Sequence, residues 1–199
     1  MECKVEILLE RVVKNLSVPV HCGLALVAFG AFHMSKTVLD ASYVRSGHPV
    51  DYATGQLAFD GEKIAGYYQN MIAGGTLDIY WQTQVIDFAF IASVLCLSVL
   101  LGTLIARIGP DGSWGRALGF AAAWAGAGGA LFDAVENLLS FAMLADPQGI
   151  PQALAIAYSS AAAAKFGLLT AAMGLLCLSA VFGVVRRIIL RAVPQSSAR

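Results

Sequence analysis

The sequence predicts an all-α integral membrane protein: an antiparallel four-helix transmembrane bundle with a short interfacial helix in its first outer loop. Three observations predict it. Of the 199 residues, 58% are apolar and only 13% charged, and the mean hydropathy is +0.70. A soluble domain is about 45–50% apolar and about 25% charged, so these few charges cannot cover a soluble surface of this size. The apolar residues also gather into four runs that reach or approach the roughly 20 helical residues a hydrocarbon core requires. Finally, the runs are continuous and do not alternate, which argues against barrel strands. Lys+Arg and Asp+Glu number 13 each, so no basic excess offers itself to nucleic acid.

Residues 1–17 read as an amphipathic helix, with Ile7, Leu8, Val12 and Leu16 at helical spacing. It lies on the inner membrane surface or simply extends the first span. That span, about 18–34, is the shortest and resembles a signal-peptide core. Glu2, Glu6 and Glu10 are mixed with Lys4, Arg11 and Lys14 before it, which is no simple positive leader, so an uncleaved signal-anchor is expected.

The outer loop, about 35–78, is the one sizeable polar stretch. Ser46-Gly47-His48-Pro49 marks a turn. Asp60 is placed to cap a helix over about 61–73, whose Ile64, Tyr67, Tyr68, Met71 and Ile72 form one apolar side. Gly74-Gly75 would end it and Thr76 would cap the next helix. This short helix is expected at the outer interface, either partly covering the mouth of the bundle or serving as a plain connector. The remaining spans are about 79–106, 114–144 and 151–185, followed by a short polar tail, 193–199. No linker or repeat divides the chain, so residues 1–199 read as a single membrane domain.

Four spans put the termini and the middle loop on one side. That side holds nine basic residues, including Lys4, Arg11, Lys14, Arg107, Arg116, Arg186 and Arg187, against Lys36, Arg45 and Lys63 on the other. The positive-inside rule then places both termini in the cytoplasm of an inner-membrane protein. Trp114 and the pair Tyr80-Trp81 fall where aromatic belts are expected. Small residues at i+4, Gly115, Gly119, Ala123 and Ala127 in the third span and Ala163, Gly167 and Ala171 in the fourth, are expected to let these neighbours pack closely.

Charges inside the spans are the most informative feature. Asp133, Glu136 and Asn137 share roughly one side of the third span with Ser140; Lys165 lies in the fourth and Asp87 in the second. At about 1.5 Å per residue they reach similar depths, roughly 9–18 Å from the outer ends. Each is costly in lipid, about 2.5–3.5 kcal/mol at a helix centre, so meeting inside the bundle is the cheaper arrangement. Three carboxyls face one lysine, so a shared proton, a cation, water or His33 near the outer end of the first span must complete the balance. Two readings follow. One is a polar knot that fixes helix register. The other is a pocket for a proton, a cation or the head of an amphiphile, built from Asp133, Glu136, Asn137 and Lys165 with Asp87 and His33 at its mouth.

Other chemistries find little support. Cys3, Cys22, Cys96 and Cys177 are isolated, which does not suit thiol oxidation, and Cys22, Cys96 and Cys177 read as small core residues. His21, His33 and His48 share no helical face, so no metal, haem or other cofactor is indicated. No phosphate loop or Gly-x-Ser-x-Gly is present, and Ser159-Ser160 reads as helix packing far more readily than as a nucleophile.

Tyr67-Tyr68, Tyr80, the polar approach to Asp87, Phe132-Asp133-Ala134-Val135-Glu136-Asn137 and Ala164-Lys165 together resemble a group of small, uncharacterised bacterial four-span membrane proteins. Their third span carries a similar Asp-x-x-Glu-Asn and their fourth a lysine. The resemblance covers most of the chain after about residue 40. It implies the four-span fold and no particular activity. The expected function is therefore binding of a small ligand or amphiphile, or membership of a membrane complex. Enzymatic acid–base chemistry on a lipid or isoprenoid-like substrate and proton-coupled transport are the alternatives. Membrane lipids, a small amphiphilic ligand, a second copy of the chain or another membrane protein are the expected partners.

Overall fold

The computed structural model describes residues 4–192, with side chains described for 9–189. The side chains of Ile7 and Leu8 and the whole of the tail 193–199 lie outside that description. Seven helices and no strand are found among the described residues: α1 (Lys4–Asn15), α2 (Val18–Ser46), α3 (Tyr52–Gln56), α4 (Gly61–Ala73), α5 (Leu77–Ala106), α6 (Trp114–Ala145) and α7 (Gln152–Ala192). Four of them, α2, α5, α6 and α7, are long and apolar enough to cross a membrane.

The first of these overruns its expected end by 12 residues, because charge interrupts hydropathy without interrupting a helix. Lys36 and Asp40, the residues that end the apolar run, form an i,i+4 ion pair of 2.6 Å that supports the helix. It stops at Ser46 because Gly47 takes the left-handed conformation, φ 65°, and its N–H closes on the Val44 carbonyl. The expected 61–73 helix is α4, with the Asp60 carboxylate accepting from the amides of Glu62 and Lys63. Thr76 does not cap α5 through its side chain; its hydroxyl donates instead to the Ser46 carbonyl at 2.6 Å, tying the end of α2 to the start of α5.

The long helices pack in the order α2–α5–α6–α7, and α2 and α7 scarcely meet. Polar rungs lace α2 to α5: His21 Nε2 lies 2.9 Å from the Leu100 carbonyl, Ser35 Oγ 3.0 Å from Ser93 Oγ, and Ser42 Oγ 2.7 Å from Thr83 Oγ1. Between α5 and α6 the contact is backbone-close. A Cβ on Gly102 would stand 2.8 Å from the Ala123 nitrogen, and one on Gly119 2.7 Å from Ala106. Gly115 meets Gly183 of α7 just as closely. The small residues of α6 thus serve both neighbours. The stripe expected on α7 does not pack: Ala163, Gly167 and Ala171 are exposed, and open space surrounds Gly167. The face of α7 that meets α6 carries Tyr158, Ala162, Lys165, Leu169 and Ala172 instead.

Large apolar side chains point outward along all four long helices, among them Leu26, Val85, Leu131, Leu138, Met173 and Ile188. Cys96 and Cys177 are exposed too, and Cys22 is half-buried, so these cysteines are not core residues as expected. At the far end from α3 and α4, α1 is clamped by two arginines. Arg116 makes a two-pronged bond to Glu10 at 2.8 and 3.0 Å, which holds that carboxyl below its ordinary range. Arg107 donates to the carbonyls of Val13 and Leu16 that close α1.

Candidate functional site

The charged groups of α6 and α7 meet. Lys165 Nζ lies 3.0 Å from Asp133 Oδ1, forms an ion pair with Glu136, and donates to Gln56 Oε1 at 3.0 Å. An ammonium has three protons, so this lysine is fully engaged. All three charged side chains are almost wholly buried, at 6% exposure or less. Helix geometry explains the meeting: Asp133 is 12 residues from the end of α6 and Lys165 is 13 residues into α7, so adjacent helices deliver them to one level, about 18–20 Å from their ends.

Beside this cluster lies a cavity of about 230 Å³. Asp87, Asp133 and Lys165 line it, and so do all six tyrosines of the chain, Tyr43, Tyr52, Tyr67, Tyr68, Tyr80 and Tyr158. Phe90 and Phe166 complete the aromatic wall, and the Lys36–Asp40 pair also lines the cavity. Five of these tyrosines, Tyr43, Tyr52, Tyr67, Tyr68 and Tyr80, form one connected group with His48. Tyr43 stacks on Tyr52 with centroids 3.8 Å apart and on His48 at 5.1 Å, while His48 lies 5.3 Å from Tyr80, which lies 5.7 Å from Tyr68. Tyr43 bonds the Val50 carbonyl at 2.8 Å and His48 Nδ1 at 2.9 Å. Burial lowers the His48 pKa and pushes the Tyr68 hydroxyl up to about 12; both groups are uncharged at neutral pH.

The roof is stitched to α7. Phe59, with φ 53°, occupies the left-handed region that a bulky side chain avoids. Three hydrogen bonds hold the bend: Phe59 N to Ser159 Oγ at 3.0 Å, Gln152 Nε2 to the Phe59 carbonyl at 2.9 Å, and Gly61 N to Gln152 Oε1 at 2.9 Å. Ser159 is therefore occupied as an acceptor and fully buried. On this frame α4 buries Ile64, Tyr68 and Met71 against Tyr80, Met143, Ala155 and Tyr158, and α3 sends Gln56 down to Lys165.

Of the six residues expected in the site, three line the cavity: Asp87, Asp133 and Lys165. Glu136 stands behind Lys165 as its second counter-ion. Asn137 is turned elsewhere, its Nδ2 donating to the Gln84 carbonyl at 2.8 Å, so it joins α6 to α5 and takes no part in the wall. His33 does not reach the cluster; it is exposed on α2, and only its carbonyl is used, by Thr37. Tyr80, expected in an interfacial belt, turns inward and is 4% exposed, while its neighbour Trp81 is 49% exposed. The tyrosine wall, His48 and Gln56 were not foreseen. The available signal was that every tyrosine of the chain lies on the loop, or on helix segments at the same end.

Comparison with family models, with curated proteins and with solved structures returned no match.

Proposed function

We propose that this chain is a multi-pass membrane protein, an antiparallel four-helix bundle with both termini cytoplasmic, whose outer half holds a binding pocket for a small ligand. The membrane assignment rests on four long apolar helices with outward-facing Leu, Val and Met side chains. The antiparallel order rests on contacts that step in opposite directions along α5 and α6, Gly102 with Ala123 and Ala106 with Gly119. The basic residues at the α1 end favour a cytoplasmic location for that end.

One observation carries the binding reading: an aromatic cavity directly beside buried charges, under a roof that the chain itself supplies. A knot that only fixed helix register would have no use for the space. Acid–base catalysis on a lipid or isoprenoid-like substrate is the second reading, because Asp87 and Asp133 reach the same cavity. It fits less well, since Asp133 is already tied to Lys165, which leaves Asp87 without a second free carboxyl as acid–base partner. Transport through one copy is disfavoured by the backbone-close packing of Gly102, Gly115 and Gly119 toward the inner end.

The test is Leu39→Trp. Leu39 is buried in the cavity wall, and an indole there fills the space. Thermal unfolding of the purified protein is followed against a panel of small polar, charged and aromatic compounds. The reading expects saturable stabilisation of the wild type by some members and none of the folded variant. No saturable shift in the wild type, or equal shifts in both, contradicts it.

A further inference from the structure

The chemistry of the cavity wall narrows the ligand class, given the pocket reading above. We propose that the cavity takes an organic ammonium ion, with the Asp87 carboxylate as its counter-ion and tyrosine rings as its walls.

The charge balance comes first. Asp133 and Glu136 share Lys165, and Asp40 is paired with Lys36. Asp87 lines the same cavity, yet its carboxyl makes no hydrogen bond or ion pair among the described residues. Three carboxyls thus face one lysine; that lysine is already engaged on three sides, and Asp87 is the carboxyl it does not reach. An anionic ligand would meet no free cation here. A cationic one would meet Asp87.

The walls give the second observation. Tyrosine rings attract cations through their electron-rich faces, and the attraction grows when water is excluded. Quaternary and protonated amines are the ions such cages hold. A metal ion would need several oxygen, nitrogen or sulfur ligands at short range, and among the described residues no three metal-ligating side chains converge.

The third is a buried hydroxyl short of well-aligned partners. Tyr68 lines the cavity and is 1% exposed, and its hydroxyl makes no hydrogen bond of standard geometry, although Ser140 and Tyr80 lie near it. A ligand or water would complete its bonding.

The ammonium can belong to a water-soluble amine or to the head of an amphiphile. Because α2 and α7 scarcely meet, an apolar chain attached to the ion would leave between them, on the side of the cavity that Phe90, Phe166 and Leu169 line.

The experiment is calorimetric titration of the full-length protein in maltoside micelles, which carry no ammonium. The probes are choline, its uncharged isostere 3,3-dimethylbutan-1-ol, and dodecyltrimethylammonium. The proposal expects at least one cation to bind saturably and about tenfold or more tighter than the isostere. It further expects Asp87→Asn to weaken that binding by about tenfold or more, and Asp87→Glu to restore part of it. Binding of the long-chain cation alone assigns an amphiphile head; binding of choline as well assigns a free amine. Equal binding of cation and isostere, or an unchanged affinity in folded Asp87→Asn, overturns the ammonium assignment while leaving the pocket standing. No binding by any probe also overturns it, and the Leu39→Trp comparison then decides separately whether there is a pocket. The cation–isostere comparison needs no variant, so it holds even if Asp87→Asn fails to fold.

Discussion

Lys165→Met removes the one positive charge that answers two buried carboxylates while keeping most of the side chain's length. Asp133 and Glu136 are 5% and 3% exposed at the side chain and share this counter-ion. Removing one partner of a buried pair costs ~3–5 kcal/mol, because the charge left behind is uncompensated. Two stranded carboxylates place this site at the upper end of that range, and the Gln56 contact to the roof is lost as well. For a chain of this size each kcal/mol shifts the melting temperature by ~2–4 °C, so a fall of ~10–20 °C is expected. Replacing the whole set, Asp133→Asn with Glu136→Gln and Lys165→Met, should recover most of it, since a neutral packed substitute for a buried ion network is often no less stable. Thermal unfolding in detergent, followed by circular dichroism, measures all three proteins. A single variant within ~1 kcal/mol of wild type, or a triple variant as unstable as the single, would show that Lys165 is not the counter-ion the two carboxylates depend on.

Gly102→Ala sets a methyl 2.7–2.9 Å from Ala123 on the neighbouring helix and should cost ~1–3 kcal/mol by overpacking; Gly167→Ala, with open space around it, should cost nothing measurable in thermal unfolding. Burial holds His48 below the ordinary imidazole range, so as pH falls through ~6.5 the unfolded chain takes up a proton that the folded one refuses. This site costs nothing above about pH 7 and progressively destabilises the fold below it. Melting temperatures between pH 7.5 and 5.5 should therefore fall less steeply for His48→Gln than for wild type, and parallel curves would contradict the assignment.

Hydropathy located the long helices well because it averages over many residues. It failed at the end of α2, where Lys36 and Asp40 lower the average but, paired on one side of the helix, do not stop it. The meeting of Asp133, Glu136 and Lys165 was legible because three expensive charges at similar depth have few other cheap arrangements. Asn137 was misplaced because a polar side chain can be satisfied by a neighbouring backbone carbonyl, which leaves no mark on sequence spacing. His33 was misplaced because its side of α2 depends on the helix's rotation about its own axis. That rotation is fixed by Ser35, Ser42 and their partners on α5, a matching that exists only in three dimensions. The tyrosine wall stayed hidden for a related reason. Tyr52 and Tyr67 belong to short elements of the loop, and their convergence with Tyr158 depends on the bend at Phe59 and the Gln152 clasp. The small-residue stripe Ala163, Gly167, Ala171 misled because alanine-rich helices place such spacing on every side, and only contact tells which one is used.

Cryo-electron microscopy of the full chain in lipid nanodiscs shows whether the buried charges and the tyrosine-lined space lie side by side. Lys165 is expected between Asp133 and Glu136, the six tyrosines around a space beside Asp87, and non-protein density in that space after addition of an ammonium probe. A lysine turned outward to the acyl chains, or tyrosine side chains collapsed together with no room between them, would contradict it.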